Sequence, residues 1–197
     1  MFTKTEVEIM KVFVSKINTR FSIKEIAEYL KKPYPLIHMS IMNLLKGNFL
    51  IRDEKELLSL NYKENHSELA YIEALRAKDI LAKDKTLFLF AKDAIDKTMS
   101  DFFVLMIFGS YVEKSNPRDV DVMFITEDES NVNHLEKTLV NIGSHFTKKF
   151  DFQVVSTKSA YEMLSKRDKV NILNESLNVH ILLYGAENYY KILKNAR

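Results

Sequence analysis

Val104-Leu105-Met106-Ile107-Phe108-Gly109-Ser110 is an apolar run closed by a glycine and a serine. After a polar loop, Tyr111 to Arg118, comes Asp119-Val120-Asp121-Val122-Met123-Phe124-Ile125-Thr126. On an extended strand successive side chains alternate faces, so Asp119 and Asp121 share one face while Val120 and Val122 turn into the core. Two carboxylates on one strand edge form a hard-oxygen site suited to Mg²⁺. Gly109-Ser110 closes the preceding strand, where backbone without a Cβ lets phosphate oxygens come close. The combination points to metal-assisted chemistry on a nucleotide phosphate. Alone, an Asp-x-Asp pair is often a turn cap or a solvated edge, and a Gly-Ser after a strand is usually a turn.

A third acid follows in Phe150-Asp151-Phe152-Gln153-Val154-Val155, flanked by strand-forming residues. Together, Phe108-Gly109-Ser110, Asp119-Val120-Asp121-Val122 and Asp151 resemble the signature of the polymerase-β-like nucleotidyltransferase superfamily, in particular its minimal, antitoxin-like branch. The resemblance covers about residues 85–190. It implies that Gly109 and Ser110 grip a triphosphate and that Asp119, Asp121 and Asp151 are the catalytic, metal-holding acids for two Mg²⁺ ions. Such ions, roughly 4 Å apart, clamp the attacking and leaving oxygens of an in-line displacement. Many minimal members carry a glycine in the loop and a serine before the first acid. Here the loop lacks that glycine, and Arg118 stands in the serine's place as a candidate nucleotide-binding residue. Arg118, Lys114 or Lys148 could each neutralise pyrophosphate, and the sequence does not choose among them.

The N-terminal third reads differently. Residues 5–17 carry helical spacing, with Thr5 as N-cap, and Ser22-x-x-Glu25 is a capping box opening a helix Ile23 to Leu30. Lys31-Lys32-Pro33-Tyr34-Pro35 breaks the pattern before a third helix, Leu36 to Lys46, which Gly47-Asn48 stops. Residues 49–52 and 56–60 form a hairpin. Three helices and a hairpin is the order of a winged helix-turn-helix. In the third helix Ile37, Ile41, Leu44 and Leu45 face inward, leaving Tyr34, His38, Met39, Asn43 and Lys46 outward. Tyr34, His38, Asn43 and Lys46 are the candidate DNA contacts. Residues 1–62 hold ten Lys/Arg against seven Asp/Glu, a modest basic excess.

Residues 63–84 read as a connecting helix. Beyond them come helix 85–100, strand 102–108, strand 119–126, helix 131–147, strand 150–156, helix 159–177, an apolar run 179–184, and a last helix 186–194. The expected fold is α/β (α+β): a winged helix-turn-helix (1–62) joined by a helix (63–84) to a small nucleotidyltransferase domain (85–197), whose mixed sheet is flanked by helices.

Composition excludes more than it selects. The 197 residues are 46% hydrophobic and 28% charged with net charge +2, the profile of an ordinary globular chain. The absence of cysteine excludes disulfides, thiolate zinc sites and cysteine nucleophiles, and fits the cytoplasm. No run approaches the ~20 apolar residues of a membrane span. The five histidines are scattered, with no pair at metal-ligand spacing, and His180 reads as a core or edge residue. Phe88, Phe90, Phe102, Phe103 and Phe108 fit a sheet-and-helix core, Tyr189-Tyr190 packs the final helix, and Lys191–Arg197 reads as a solvated end.

The expected activity is Mg²⁺-dependent transfer of a nucleoside monophosphate from an NTP to an acceptor hydroxyl. By resemblance, that acceptor lies on a small helical toxin-like protein or an RNA end. Duplex DNA is an expected partner of the N-terminal unit, and the chain is expected to form a homo-oligomer. The alternative is a winged-helix transcriptional regulator whose transferase-like domain senses nucleotide or dimerises without turnover.

Overall fold

Local chemistry sets the first helices. The computed structural model describes residues 1–98, 102–113, 119–127, 129–166 and 169–197. Helix α1 (Lys4–Ser15) opens on Thr3, not Thr5. The Thr3 hydroxyl accepts from the Glu6 N–H and the Glu6 carboxylate accepts from the Thr3 N–H, a reciprocal pair that caps the helix two residues before Thr5. Helix α2 (Ile23–Leu30) carries the expected Ser22–Glu25 box. Helix α3 (Tyr34–Lys46) starts two residues earlier than expected, because Pro35 lies in its first turn, where a missing N–H costs nothing.

Strands β1 (Leu50–Arg52) and β2 (Leu58–Leu60) pair antiparallel, and Phe21, between α1 and α2, bridges to Leu58. Fully buried Ile9, Met10, Phe13, Ile26, Ile37, Ile41 and Leu58 fill the space beneath. Helix α4 (His66–Leu81) then packs against α1.

The larger sheet is assembled from β3 (Phe103–Phe108), β4 (Asp119–Thr126), β5 (Lys149–Ser156) and β6 (His180–Tyr184), in the order β5-β4-β3-β6. Only the β4–β5 pair is parallel. Its crossover contains a 3-10 turn (Glu129–Asn131) and helix α7 (Val132–Gly143). Helix α5 (Lys85–Lys97) and α7 cover one face, burying Phe90, Leu139 and Ile142 against Leu105, Val120, Val122 and Phe124. The other face is covered by α8 (Thr157–Ser165) and α10 (Ala186–Ala196), which bury Ala160, Leu164 and Tyr190 against Val104, Met106, Met123 and Ile125.

The apolar cluster on this second face is continuous with that of α1–α3, so it runs across the expected boundary at residue 62. Backbone bonds reinforce the contact: the Ile17 N–H donates to the Leu177 carbonyl at 3.1 Å. The result is an α+β chain with helices on both sides of a mixed sheet. Among the described residues, no helix is long and apolar enough to cross a membrane.

Three details depart from expectation. The helix expected over 159–177 ends at Ser165, and a short α9 (Ile172–Ser176) begins anew with Asn171 as its cap. Phe88 is 47% exposed, because it lies on the face of α5 turned away from buried Leu87, Phe90 and Ala91. Arg197 is no loose end: its guanidinium donates to Asn18 Oδ1 at 2.8 Å, Asn174 Oδ1 at 2.5 Å and the Leu164 carbonyl at 3.2 Å.

Candidate functional site

Strand register brings the acids together. Asp121 stands directly beside Asp151 across the parallel pair, and Asp119 beside Lys149. Paired residues on neighbouring strands point to the same side, ~4.8 Å apart, and alternation puts Asp119 there too. This is the side on which Met123 and Ile125, further along β4, lie buried among α8 and α10. The acids occupy the uncovered start of the strand, with Asp119 and Asp121 partly buried and Asp151 exposed. Val120 and Val122 face the opposite core at 0% exposure and fix the strand's rotation.

Across the β3–β4 pair, Phe108 is opposite Asp121, so Gly109 abuts that carboxylate. Gly109 has φ +67°, a left-handed conformation that side chains disfavour, and a Cβ there would lie 2.6 Å from Asp121 Oδ2. Its own N–H donates to the Val179 carbonyl at 3.1 Å. A phosphate grip in this corner therefore falls to Ser110 and the N–H groups that follow, on the single-turn helix α6 (Ser110–Glu113). Arg118 and Lys114 lie outside the described residues.

Partial burial, then the like charges of Asp119 and Asp151, push the Asp121 carboxyl above the usual carboxylate range. The three acids thus act on one another electrostatically. The donor set is all oxygen and one-sided, which fits a hard divalent cation such as Mg²⁺. Among the described residues, no three His, Cys, Asp or Glu side chains already stand at metal-holding positions. Register thus sets the acids on one side of adjacent strands without gathering the three of them at a common ion position.

Beside this edge lies a cluster that sequence reasoning missed. Asp84 accepts hydrogen bonds from the Tyr111 hydroxyl and from Lys148 Nζ, and caps α5 by accepting from the Leu87 N–H at 2.9 Å. Lys148 also lies 4.9 Å from the centre of the Tyr111 ring. Burial works against an ionised Asp84, but its bonds from Lys148, Tyr111 and Leu87 outweigh it and hold the carboxyl below its ordinary range. Burial and the adjacent Asp84 carboxylate push the Tyr111 hydroxyl well up. The cluster ties the residue after Ser110 to the start of β5, and it engages one of the three cations considered for pyrophosphate. An aspartate just before a helical run was a legible N-cap signal. Its pairing with a lysine 64 positions away had no local signal.

On the N-terminal unit, Tyr34, His38, Asn43 and Lys46 are all exposed on α3. The Asn43 amide donates to Glu6 Oε1 at 3.1 Å, so reading a base edge would require giving up that bond. Between these polar groups Leu36, Met39 and Met42 are also exposed, at 37%, 59% and 43%, which makes the face more apolar than a phosphate-tracking helix needs.

Comparison with known proteins adds little. No protein-family model matches the chain, and no curated protein matches it. Among solved structures, the crystal structure of Pseudomonas aeruginosa HmgR is similar at 17% identity and a TM-score of 0.31, over 61% of this chain. The match spans 45% of the HmgR chain, and a likeness this slight carries no argument about fold or function.

Proposed function

We propose that this chain is a Mg²⁺-dependent nucleotidyltransferase that moves a nucleoside monophosphate from an NTP to an acceptor hydroxyl. One observation carries the reading: Asp119, Asp121 and Asp151 rise from one side of adjacent strands, with the side-chain-free Gly109 against Asp121. Asp119 and Asp121 would hold both ions and Asp151 would complete the second ion's set of ligands; bound Mg²⁺ would supply a lowered pKa at the attacking hydroxyl and positive charge beside the phosphates. Ser110 would meet phosphate oxygens at the mouth of α6. The acceptor hydroxyl would belong to a small helical toxin-like protein or an RNA end.

Labelled NTP with Mg²⁺ and a candidate acceptor should give label transfer and pyrophosphate, both lost in Asp119→Ala. Failure of every NTP to bind at saturating Mg²⁺ would remove the claim.

A second reading is favoured by the N-terminal elements: α1–α3, the β1–β2 hairpin and the Phe21–Leu58 bridge follow one another as in a winged helix-turn-helix. In it the chain is a DNA-binding regulator, self-associated across a twofold operator, whose transferase-like half senses nucleotide without turnover. It requires salt-sensitive duplex binding that weakens in Lys46→Ala and is indifferent to Asp119→Ala.

A further inference from the structure

Leu177, Asn178 and Val179 cross from α9 to β6, and each carries a bond that leads to another part of the chain. The Leu177 carbonyl accepts from the Ile17 N–H at 3.1 Å, and the Asn178 side-chain oxygen accepts from the Asn18 N–H at 2.9 Å. Both donors lie just past the end of α1, in the N-terminal unit. The Val179 carbonyl accepts from the Gly109 N–H at 3.1 Å, at the corner where Gly109 abuts Asp121. One short segment thus holds the N-terminal unit at one end and the acid edge at the other.

The segment is fixed in a way that lets a displacement pass along it. Leu177 is 0% exposed in the apolar cluster shared with α1–α3, and His180 pairs with Phe108, one step before Gly109. The Val179 N–H donates to the Ser176 carbonyl at 3.0 Å, which ties the segment to the end of α9. Arg197 doubles the link on the α1 side by donating to both Asn18 Oδ1 and Asn174 Oδ1. A close-packed segment bonded at both ends opens as a piece, not residue by residue. Its receiving end is sensitive. Gly109 keeps a left-handed backbone, φ +67°, against the Asp121 carboxylate, and glycine leaves that conformation readily once its N–H is released.

We propose that residues 177–179 form a strap by which the end of α1 holds the Gly109 corner in shape. A firm α1 end keeps the Gly109 N–H bonded and the glycine against Asp121. Loosening at Ile17 and Asn18 releases both. By linkage, whatever fixes the corner also firms the end of α1. A partner that grips the N-terminal unit would then regulate the acid edge. This last consequence rests on the transferase reading; the coupling itself does not, and its test uses neither metal nor nucleotide.

The test is native-state hydrogen exchange by NMR on the full chain, at rising urea below the unfolding transition. The N–H groups of Ile17, Asn18 and Gly109 should open together, with one shared urea dependence, at a lower free energy than Val122 in β4. Asn178→Ala removes the acceptor of the Asn18 N–H. Asn178 is only half-buried and its backbone is not left-handed, so alanine fits there. Exchange at Asn18 and at Gly109 should rise by roughly two- to tenfold, the worth of one such bond, with Val122 unchanged. Asn178→Asp keeps the acceptor oxygen and should exchange like the parent. A urea dependence of Gly109 separate from that of Ile17 and Asn18 would overturn the proposal. So would unchanged Gly109 exchange in Asn178→Ala, or an equal rise in Asn178→Asp. Where the alanine variant fails to fold, the urea series on the parent decides.

Discussion

A methyl group on Gly109 would stand 2.6 Å from Oδ2 of Asp121, so the glycine that follows β3 and the second acid of β4 occupy one corner. Gly109→Ala meets two penalties, a left-handed backbone and a displaced carboxylate. Urea unfolding should show a loss of roughly 1–3 kcal/mol. Stabilisation by Mg²⁺ should shrink in the same variant, since the displaced carboxylate is a candidate ligand.

Asp121 carries a cost that follows from its neighbours. Because its folded pKa is raised, the native state binds the proton more tightly than the unfolded chain. Stability therefore falls as pH rises through that window, and the penalty is fully present at neutral pH. Asp121→Asn should melt higher than the parent in EDTA at pH 7. It should also lose whatever upward shift Mg²⁺ gives the parent.

Asp84 works in the opposite sense. Its folded pKa is depressed, so its stabilisation is complete above the unfolded value, ~3.9, and disappears as pH falls through the folded one. Asp84→Asn keeps a good helix cap but loses the ion pair to Lys148. The variant should be less stable by roughly 1–3 kcal/mol at pH 7, with the gap to the parent closing below about pH 4. Paired denaturant titrations at pH 7 and pH 3 measure it.

Within the core, Glu73 at 0% exposure accepts from Arg76 at 2.7 Å and from the Tyr190 hydroxyl at 3.0 Å, while Arg76 donates onward to the His180 carbonyl at 2.5 Å. Glu73→Gln leaves the Arg76 guanidinium buried without its counter-charge, a loss of roughly 3–5 kcal/mol. Chemical unfolding at neutral pH reads it directly.

Much of this was legible where the signal is local. The strand Asp119–Thr126 was readable to the residue, because a polar pair followed by apolar residues leaves one consistent alternation. Ser22-x-x-Glu25 announced its helix, and Thr3-x-x-Glu6 made the same announcement one helix earlier, masked by Thr5 nearby. The break after Ser165 depends on Asn171 and Asn174 side chains bonding the carbonyls of Met163 and Lys166, an arrangement without periodicity. Nothing in the sequence singled out Glu73 and Arg76, since the partners that bury them lie on β6 and α10, more than 100 positions on. The three acids were nameable in sequence. That Asp151 falls beside Asp121, and not one residue off, is a property of register that only the folded chain supplies.

Helix α4 buries Leu69 and Ile72 in the apolar cluster shared with α1–α3, and Glu73 and Arg76 against β6 and α10. Neither half of the chain thus owns a finished interior. Cut apart between residues 62 and 66, each fragment would present a greasy flank to water. The halves are poor candidates for exchange with other proteins, and a lesion in either should be felt as unfolding of both.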